Sequence, residues 1–203
     1  MAFFWVNEME NIKFKINGAG SMLMNNPQSV DPFNNYAKAK KVITSKRSKT
    51  EEDLFELQRL DIESKVYIND ILGVYIPTSW IMAALAQASF KKVKIAKKEI
   101  RAGVFVDSTK EKLYYRDSDK VKTKTDISGN PDFYHTMLLK QGQVKIAKST
   151  PIFHDWSFNC SLTFDPSVID RSTLINILQY CCNYGGFGDF RPTFGRADLE
   201  ILD

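Results

Sequence analysis

Two segments of the chain alternate between apolar and polar residues, which is the period of a half-buried β-strand. The first is NIKFKING, residues 11–18, in which Ile12, Phe14 and Ile16 alternate with polar residues. The second is WSFNCSLTF, residues 156–164, in which large apolar side chains alternate with Ser, Asn and Thr. Each segment predicts a strand with one face on a core and the other face in solvent.

Three other segments show the apolar spacing of amphipathic helices. In the first, Thr50 and Asp53 resemble a capping box before a helix that extends to about residue 64. The second helix begins near Pro77 and ends near residue 90, and the third begins at Asp170 or Ser172. Thr78 or Ser79 is the expected cap of the second helix. The predicted inner faces are Leu54, Leu57 and Leu60 in the first helix, Ile81, Leu85 and Ala88 in the second, and Leu174, Leu178 and Cys181 in the third.

The order of these elements predicts an α+β fold. It reads strand, insertion, helix, strands, long strand, helix, glycine-rich loop and final strand, which is the βαββαβ order of ferredoxin-like and RRM-like domains. A charged, turn-rich stretch at residues 120–133 is expected to be a loop, and KLYY, residues 112–115, a strand. We expect one domain over residues 1–203, with a long basic insertion after the first strand at residues 25–70.

A formal net charge of +4 does not by itself indicate nucleic-acid binding, but the distribution of the charges along the chain is more informative. Residues 36–50 contain six cations and no acid, and we predict a loop that binds a phosphate backbone. A solvated surface is the alternative for such a run, and for a second lysine cluster at residues 91–98. Phe33, Tyr36 and Tyr75 are candidates for base stacking if they are exposed. The six cations are Lys38, Lys40, Lys41, Lys46, Arg47 and Lys49.

The stretch YGGFGDFRPTFGR, residues 184–196, is the second candidate for anion binding. Its glycines permit positive φ and close approach of another backbone, and successive N–H groups in such a loop can surround an anion. Arg191 and Arg196 add possible bidentate contacts to phosphate. The alternative is a helix end followed by a turn whose Phe side chains enter the core. The glycines are Gly185, Gly186, Gly188 and Gly195.

The sequence contains few candidates for catalytic residues. His135 and His154 are the two histidines, and Asp31 in SVDP is a candidate acid that also suits a turn. The three cysteines lack the spacing of a zinc site, so we expect neither a metal nor a cofactor. Their odd number suits a reducing compartment, and the apolar N-terminal run lacks the features of a signal peptide. We therefore expect a cytoplasmic protein.

Three segments, taken in order, resemble the RAMP superfamily of CRISPR proteins: SVDP, YIPTSWIMAAL and GGFGDFRPTFGR. The form of the last segment is also similar to small proteins of phages and prophages. The resemblance implies a ferredoxin-like core with a thumb-like insertion that binds single-stranded RNA along its backbone. It implies that Pro77, Thr78 and Ser79 match the helix start of the superfamily, that the four glycines match its glycine-rich loop, and that Asp31 occupies the position of a target-cleaving acid.

Three hypotheses follow from the residues and the resemblance together. The first is a non-enzymatic protein that binds single-stranded nucleic acid, RNA more than DNA, and assembles along it with copies of itself or other ribonucleoprotein subunits. The second is a metal-independent endoribonuclease that processes CRISPR RNA, with His154 or His135 as general base. The third is an interaction protein, such as an anti-CRISPR inhibitor, that binds a host protein complex. None of the three requires a membrane.

Overall fold

The computed structural model describes residues 8–202, so the predictions for the apolar N-terminal run at residues 1–7 lie outside the described residues. The described part of the chain is α+β, with antiparallel sheets and six α-helices. The strands are β1 Glu10–Gly18, β2 Met22–Leu23, β3 Ile68–Asn69, β4 Gly73–Pro77, β5 Val104–Val106, β6 Lys110–Lys112, β7 Tyr134–Gln141, β8 Val144–Phe153, β9 Ser157–Phe164 and β10 Ala197–Ile201. The helices are α1 Asn35–Thr44, α2 Glu51–Lys65, α3 Ser79–Val93, α4 Lys97–Gly103, α5 Lys124–Gly129 and α6 Arg171–Tyr180.

The largest sheet has the strand order β10-β1-β9-β5, and all its neighbours are antiparallel. Phe14 of β1 lies opposite Cys160 of β9, and both side chains are buried. Ser161 and Thr163 lie on the other face, where the side chains are more exposed. The two strands predicted from alternation are therefore confirmed, including which face each buries.

Two helices lie with the apolar face of this sheet in one hydrophobic core. Ile81, Leu85 and Ala88 of α3 are buried in the same cluster as Leu174 and Leu178 of α6. These inner faces are the predicted ones. In chain order the sheet and its helices read β1, α3, β5, β9, α6 and β10, which is consistent with a ferredoxin-like core.

Two smaller sheets extend this core, with the orders β2-β8-β7 and β3-β4-β6. The stretch at residues 120–133, predicted as a loop, contains α5, because Thr123 and Asp126 form a complete capping box at its start. The strand predicted at residues 112–115 is also misplaced. β6 ends at Lys112, and Tyr114 forms only an isolated bridge to Ser157.

The basic segment is a helix, which corrects the prediction of a loop over residues 36–50. The Asn34 side chain accepts the Tyr36 N–H at 2.9 Å, which caps the start of α1. Lysine and alanine have high helix propensity, and Ile43 is the side chain that α1 buries. The helix ends at Thr44, and residues 45–50 connect it to α2.

Helix α2 begins at the predicted capping box of Thr50 and Asp53. Its inner face is correct only at the C-terminal end, where Leu60 is buried. Leu54 is exposed and Leu57 is half-buried, because the N-terminal half of α2 borders an open groove beside β8.

An ion network anchors α1 and α2 to β8. Asp61 accepts from Lys40 at 3.1 Å and from Lys65 at 3.0 Å, and Lys65 also donates to Thr150 Oγ1 at 3.2 Å. Burial alone would raise the pKa of Asp61, but the charges of Lys65 and then Lys40 lower it overall. The segment at residues 25–70 is thus fixed to the rest of the protein by partly buried charges, and its treatment as a separate insertion stays a prediction.

Within residues 8–202, no helix combines the length and the apolar character that crossing a bilayer requires. The cysteines, Cys160, Cys181 and Cys182, are all buried, and desolvation raises the pKa of each thiol to about 12. Thiols with such a high pKa are poor nucleophiles and poor metal ligands, because the thiolate is the reactive form. Their role is to fill the core.

Candidate functional site

The glycine-rich loop begins directly after α6. One turn of π-helix, Cys181–Gly185, extends that helix, and the Gly186 N–H then donates to Cys181 O at 2.7 Å. The loop next folds back onto the segment that contains β2, where Asp189 N donates to Leu23 O and Gly195 N donates to Ser21 O, each at 2.8 Å. The loop is therefore pinned to the rest of the chain at both of its ends.

Three of the four predicted glycines serve this internal packing. Gly186, Gly188 and Gly195 have φ values of 71°, 83° and 78°, and a Cβ at Gly188 or Gly195 would overlap the carbonyl of Leu23 or Phe187. The N–H groups of Gly186 and Gly195 donate to Cys181 O and Ser21 O, so these two are not directed at an anion as predicted. Phe187 is buried, as the alternative interpretation expected. Gly185 differs, since a Cβ there would meet open space.

A cavity of about 250 Å³ lies between α3, the π-turn and this loop. Tyr180 and Tyr184 form one side of it, with ring centroids 5.0 Å apart and planes inclined by 38°. The Tyr184 side chain is 67% exposed. Two cations, Lys91 and Arg191, also line the cavity, and Lys92 Nζ lies 5.4 Å from the centre of the Tyr180 ring.

A second hollow of about 360 Å³ shares Tyr184 and Pro192 with this cavity and contains Arg196. The two hollows together are called the Tyr184 groove below. Its lining contains three cations, Lys91, Arg191 and Arg196, and none of the described lining residues is an Asp or Glu. The glycine-rich loop therefore contributes its arginines to a positively charged groove that has an exposed aromatic ring at its centre.

The cations of the basic segment divide into two groups. Lys40 pairs with Asp61 at 3.1 Å, and Lys46 pairs with Asp53 at 2.6 Å. The other four side chains of the predicted set are exposed, and within the described residues none of them lies in an ion pair. These four are Lys38, Lys41, Arg47 and Lys49.

Helix α3 begins directly after Thr78, as predicted, but without a side-chain cap. Pro77 is the last residue of β4, and the Thr78 side chain does not cap the helix. Thr78 is buried, and its hydroxyl donates to Ser108 O at 2.7 Å. Ser79 is exposed and borders a shallow groove that also contains Phe105. Of the two residues, Ser79 is the one that a ligand can reach.

The candidate catalytic residues all have structural partners. His154 Nδ1 lies 2.8 Å from Ser21 Oγ, and its Nε2 lies 3.1 Å from Asp132 O. The His135 ring packs 5.7 Å from the Phe194 ring. Asp31 Oδ1 accepts the Phe33 N–H at 2.9 Å, which is the geometry of an Asx turn. Among residues 8–202 no three His, Cys, Asp or Glu side chains cluster as a metal site would require.

Sequence reasoning missed the two tyrosines at the centre of the groove. Their spacing of four residues across the end of α6 places them on one helix face, and that spacing was the available signal. Of the aromatics that were named, Phe33 is exposed, whereas Tyr36 and Tyr75 are half-buried under lysine ammonium groups.

No family model matches the chain, and no curated protein matches it. Among solved structures, it is similar to a chain in the cryo-EM structure of the type III-B Cmr-beta bound to cognate target RNA, with a TM-score of 0.49 and 12% sequence identity. The similarity covers 96% of this chain and 60% of that chain. The protein thus spans less than two thirds of the length of its structural neighbour, and a likeness of this size carries no argument about function.

Proposed function

We propose that this protein binds single-stranded nucleic acid, RNA in preference to DNA, without cleaving it. The observation that carries the proposal is the Tyr184 groove, in which three cations surround an exposed tyrosine. Aromatic rings with positively charged neighbours are the usual means by which proteins hold unpaired bases and their phosphates. A duplex hides the faces of its bases, so the exposed ring favours a single strand.

The roles of the groove residues follow from their positions. Tyr184 offers a ring face to one base, while Arg191 and Lys91 in one hollow and Arg196 in the other contact the phosphates on either side. The four unpaired cations of the basic segment add attraction at longer range. Since phosphate contacts dominate this arrangement, affinity falls with salt and depends weakly on base sequence.

The preference for RNA and the wider setting rest on the sequence resemblance. We propose that the strands β10-β1-β9-β5 with α3 and α6 are the βαββαβ core of a RAMP-like domain, encoded by a host or by a phage or prophage. In this setting the protein is a cytoplasmic subunit of a ribonucleoprotein, and several copies assemble along one strand. Gly185 and Ser79 are the residues of the glycine-rich loop and the helix start that remain open to a ligand.

The absence of cleavage is part of the proposal, and two contacts support it. A general base needs a ring nitrogen that faces the 2′-hydroxyl of the substrate. Both nitrogens of His154 lie within hydrogen-bond distance of protein atoms, and the Asp31 carboxylate accepts a bond from its own turn.

Fluorescence anisotropy with a labelled single-stranded RNA, its DNA equivalent and an RNA duplex tests the proposal. The RNA strand should bind most tightly, and the logarithm of its affinity should fall linearly with the logarithm of the salt concentration. The same RNA recovered intact after incubation supports the non-enzymatic part. Failure to bind any single strand at low salt contradicts the proposed function, and cleavage that His154→Ala removes contradicts the non-enzymatic part alone.

A further inference from the structure

Strand β5, Val104–Val106, forms an outer edge of the largest sheet, since β9 is its one partner among the described strands. The register shows which backbone groups point away from β9. Asp107 N donates to Ser161 O at 3.1 Å, so the odd-numbered residues of this stretch face β9. The C=O of Val104 and both the N–H and the C=O of Val106 therefore face outward, and no described residue bonds to them.

A groove of about 530 Å³, called the edge groove below, runs along this outer edge between β5 and α3. All three residues of Val104–Val106 line it, although successive side chains of a strand point to opposite faces, so the groove follows the edge itself. The opposite wall is one face of α3, formed by Ser79, Met82 and Ala83. The edge groove is thus a slot beside a strand that has room for a further neighbour.

The lining of the edge groove is mostly apolar, and Arg101 is the one charged residue among its described lining residues. Phe105 is 48% exposed within it. Arg101 is exposed and lies in no ion pair with the residues that the structure describes. The acids nearest in sequence are bonded elsewhere, since Glu99 accepts an N–H at the start of α4 and Asp107 accepts two hydroxyl groups of β9. The groove therefore has an uncompensated positive charge at one position.

The two outer strands of the sheet differ in how they are protected. On β10, the carboxylates of Asp198 and Glu200 are exposed, and charges on an edge strand discourage pairing with a further strand. On β5 the three residues are Val, Phe and Val, which give no such protection. An apolar edge beside an open groove is typical of proteins that accept a strand from a partner.

We infer that the edge groove binds an extended segment of another protein, which adds to β5 as a further strand. All neighbours in this sheet are antiparallel, so the added strand runs antiparallel to β5 and its C-terminal end lies nearest Arg101, which precedes β5. The segment that fits has apolar residues against Met82 and Phe105, followed by an acidic residue that pairs with Arg101. The inference goes beyond the proposed function and does not rest on it, since the edge groove and the Tyr184 groove share no lining residue.

A nucleic-acid strand suits the edge groove less well than a peptide. An extended peptide offers alternating N–H and C=O groups that match the outward groups of β5, whereas phosphates offer acceptors alone. The edge groove also has one cation in its described lining, whereas the Tyr184 groove has three. One cation suits a single carboxylate.

Fluorescence anisotropy with a labelled octapeptide of alternating Val and Thr that ends in two Glu residues tests the inference on the full chain. The wild type should bind this probe saturably, and Arg101→Glu should weaken binding by a factor of about ten or more, because a charge-assisted contact becomes a repulsion. Lys122→Glu is the matched control, since it makes the same change of charge at an exposed residue outside the groove. It should bind the probe like the wild type.

Two N-methylated forms of the probe test for strand pairing with the wild-type protein. One is methylated at its odd positions and the other at its even positions, and alternate N–H groups of an added strand face its neighbour. One form should therefore bind and the other should not. On the protein side, Val106→Pro removes the outward N–H, which an edge strand tolerates, and should abolish binding that Val106→Thr retains.

Three results overturn the inference: no saturable binding of the probe, equal affinity of the two methylated forms, or an Arg101→Glu variant that binds the probe like the wild type. Arg101→Glu should bind single-stranded RNA like the wild type at physiological salt, where charges outside a contact are screened. Loss of RNA binding in this variant would assign the groove to nucleic acid and overturn the inference as well. Failure of the wild type to bind RNA contradicts the proposed function alone.

Discussion

The basic segment, residues 36–50, and the Tyr184 groove differ in how their charges are arranged in space. The segment has six cations within twelve residues and no acid in its own sequence, yet the fold brings Asp61 and Asp53 into ion pairs with two of them. The groove collects its cations from α3 and from the glycine-rich loop, and no acidic side chain is among its described lining residues. The denser run of charge is therefore the more neutralised one.

Carboxylates from distant segments therefore determine whether a run of cations is neutralised. Lys40 stabilises the packing of α1 on α2, where it is half-buried and bonded to Asp61 and Ser64. Arg191 and Arg196 are exposed beside an aromatic ring, and the partner of Arg191 is the backbone, since its Nη1 donates to Gly186 O at 3.5 Å. Four predictions separate the structural role of the first region from the binding role of the second.

The largest effect is expected from Gly195→Ala, because the added methyl group cannot fit where the loop packs closely on Phe187. The new Cβ would overlap the Phe187 carbonyl at a φ of 78°, and left-handed strain plus overpacking should lower the free energy of unfolding by roughly 2–5 kcal/mol. Gly185→Ala is the control, since its Cβ meets open space and its stability should hardly change. Urea unfolding measures both, and equal stability of the two variants would contradict the internal role of Gly195.

Asp61→Asn should destabilise the packing of α1 on α2 while leaving the Tyr184 groove intact. It removes the carboxylate between two partly buried lysines, so the free energy of unfolding should fall by about 2–3 kcal/mol at neutral pH. The folded-state pKa of Asp61 is lowered, so its stabilisation is present above the unfolded pKa of about 4 and is lost as the pH falls towards the folded value. The difference in the free energy of unfolding between wild type and Asp61→Asn should therefore be smaller at about pH 3 than at neutral pH.

Urea unfolding at both pH values makes this measurement, with Asp119→Asn as an exposed control that should match the wild type. A gap between wild type and Asp61→Asn that is constant from neutral to acidic pH would show that the carboxylate charge is not what anchors α1.

Tyr184→Ala should weaken RNA binding by about 1–2 kcal/mol, which is a factor of about 5–30, because it removes the stacking surface. Tyr184→Phe keeps the ring and should bind like the wild type. The side chain is largely exposed, so thermal unfolding of both variants should stay close to that of the wild type. Equal RNA affinity of Tyr184→Ala and Tyr184→Phe would contradict the stacking of a base on the Tyr184 ring.

The smallest effect concerns the salt dependence of binding. Arg191→Ala and Arg196→Ala should each reduce the slope of log affinity against log salt by about 0.7, the value for one phosphate contact on a single strand. Arg116→Ala and Lys46→Ala are the controls, because these cations already pair with Asp155 and Asp53. If the salt slope falls in Lys46→Ala and stays unchanged in the two arginine variants, the basic segment binds the phosphates and the Tyr184 groove does not.

Much of the fold could be predicted from local sequence patterns. The alternation of β1 and β9 and the capping box of α2 were readable because each depends on neighbouring residues alone. Strand β7, YHTMLLKQ, lacks alternation and is formed by its pairing with β8, so sequence reasoning missed it. Leu54 was assigned to a core by its spacing, although the spacing does not tell whether another element covers that face.

The candidate site was predictable only in part for the same reason. Arg191 and Arg196 were identified by their position in a glycine-rich loop, and the structure places both in the Tyr184 groove. Three of the glycines themselves are explained by close contacts within the protein. Tyr180 and Lys91 are far apart in the sequence, and only the packing of α3 against α6 brings them to one cavity.

Ultraviolet crosslinking of a single-stranded RNA to the wild-type protein, followed by peptide mass spectrometry, shows directly whether the RNA lies in the Tyr184 groove. The same experiment compares both regions, because trypsin does not cleave the Arg191–Pro192 bond and releases residues 172–196 as one peptide, separate from the peptides of residues 36–50. We expect crosslinks at Tyr184, with Tyr180 as a secondary position, and we expect them to disappear in Tyr184→Ala. Crosslinks confined to the basic segment, with none near Tyr184, would contradict it.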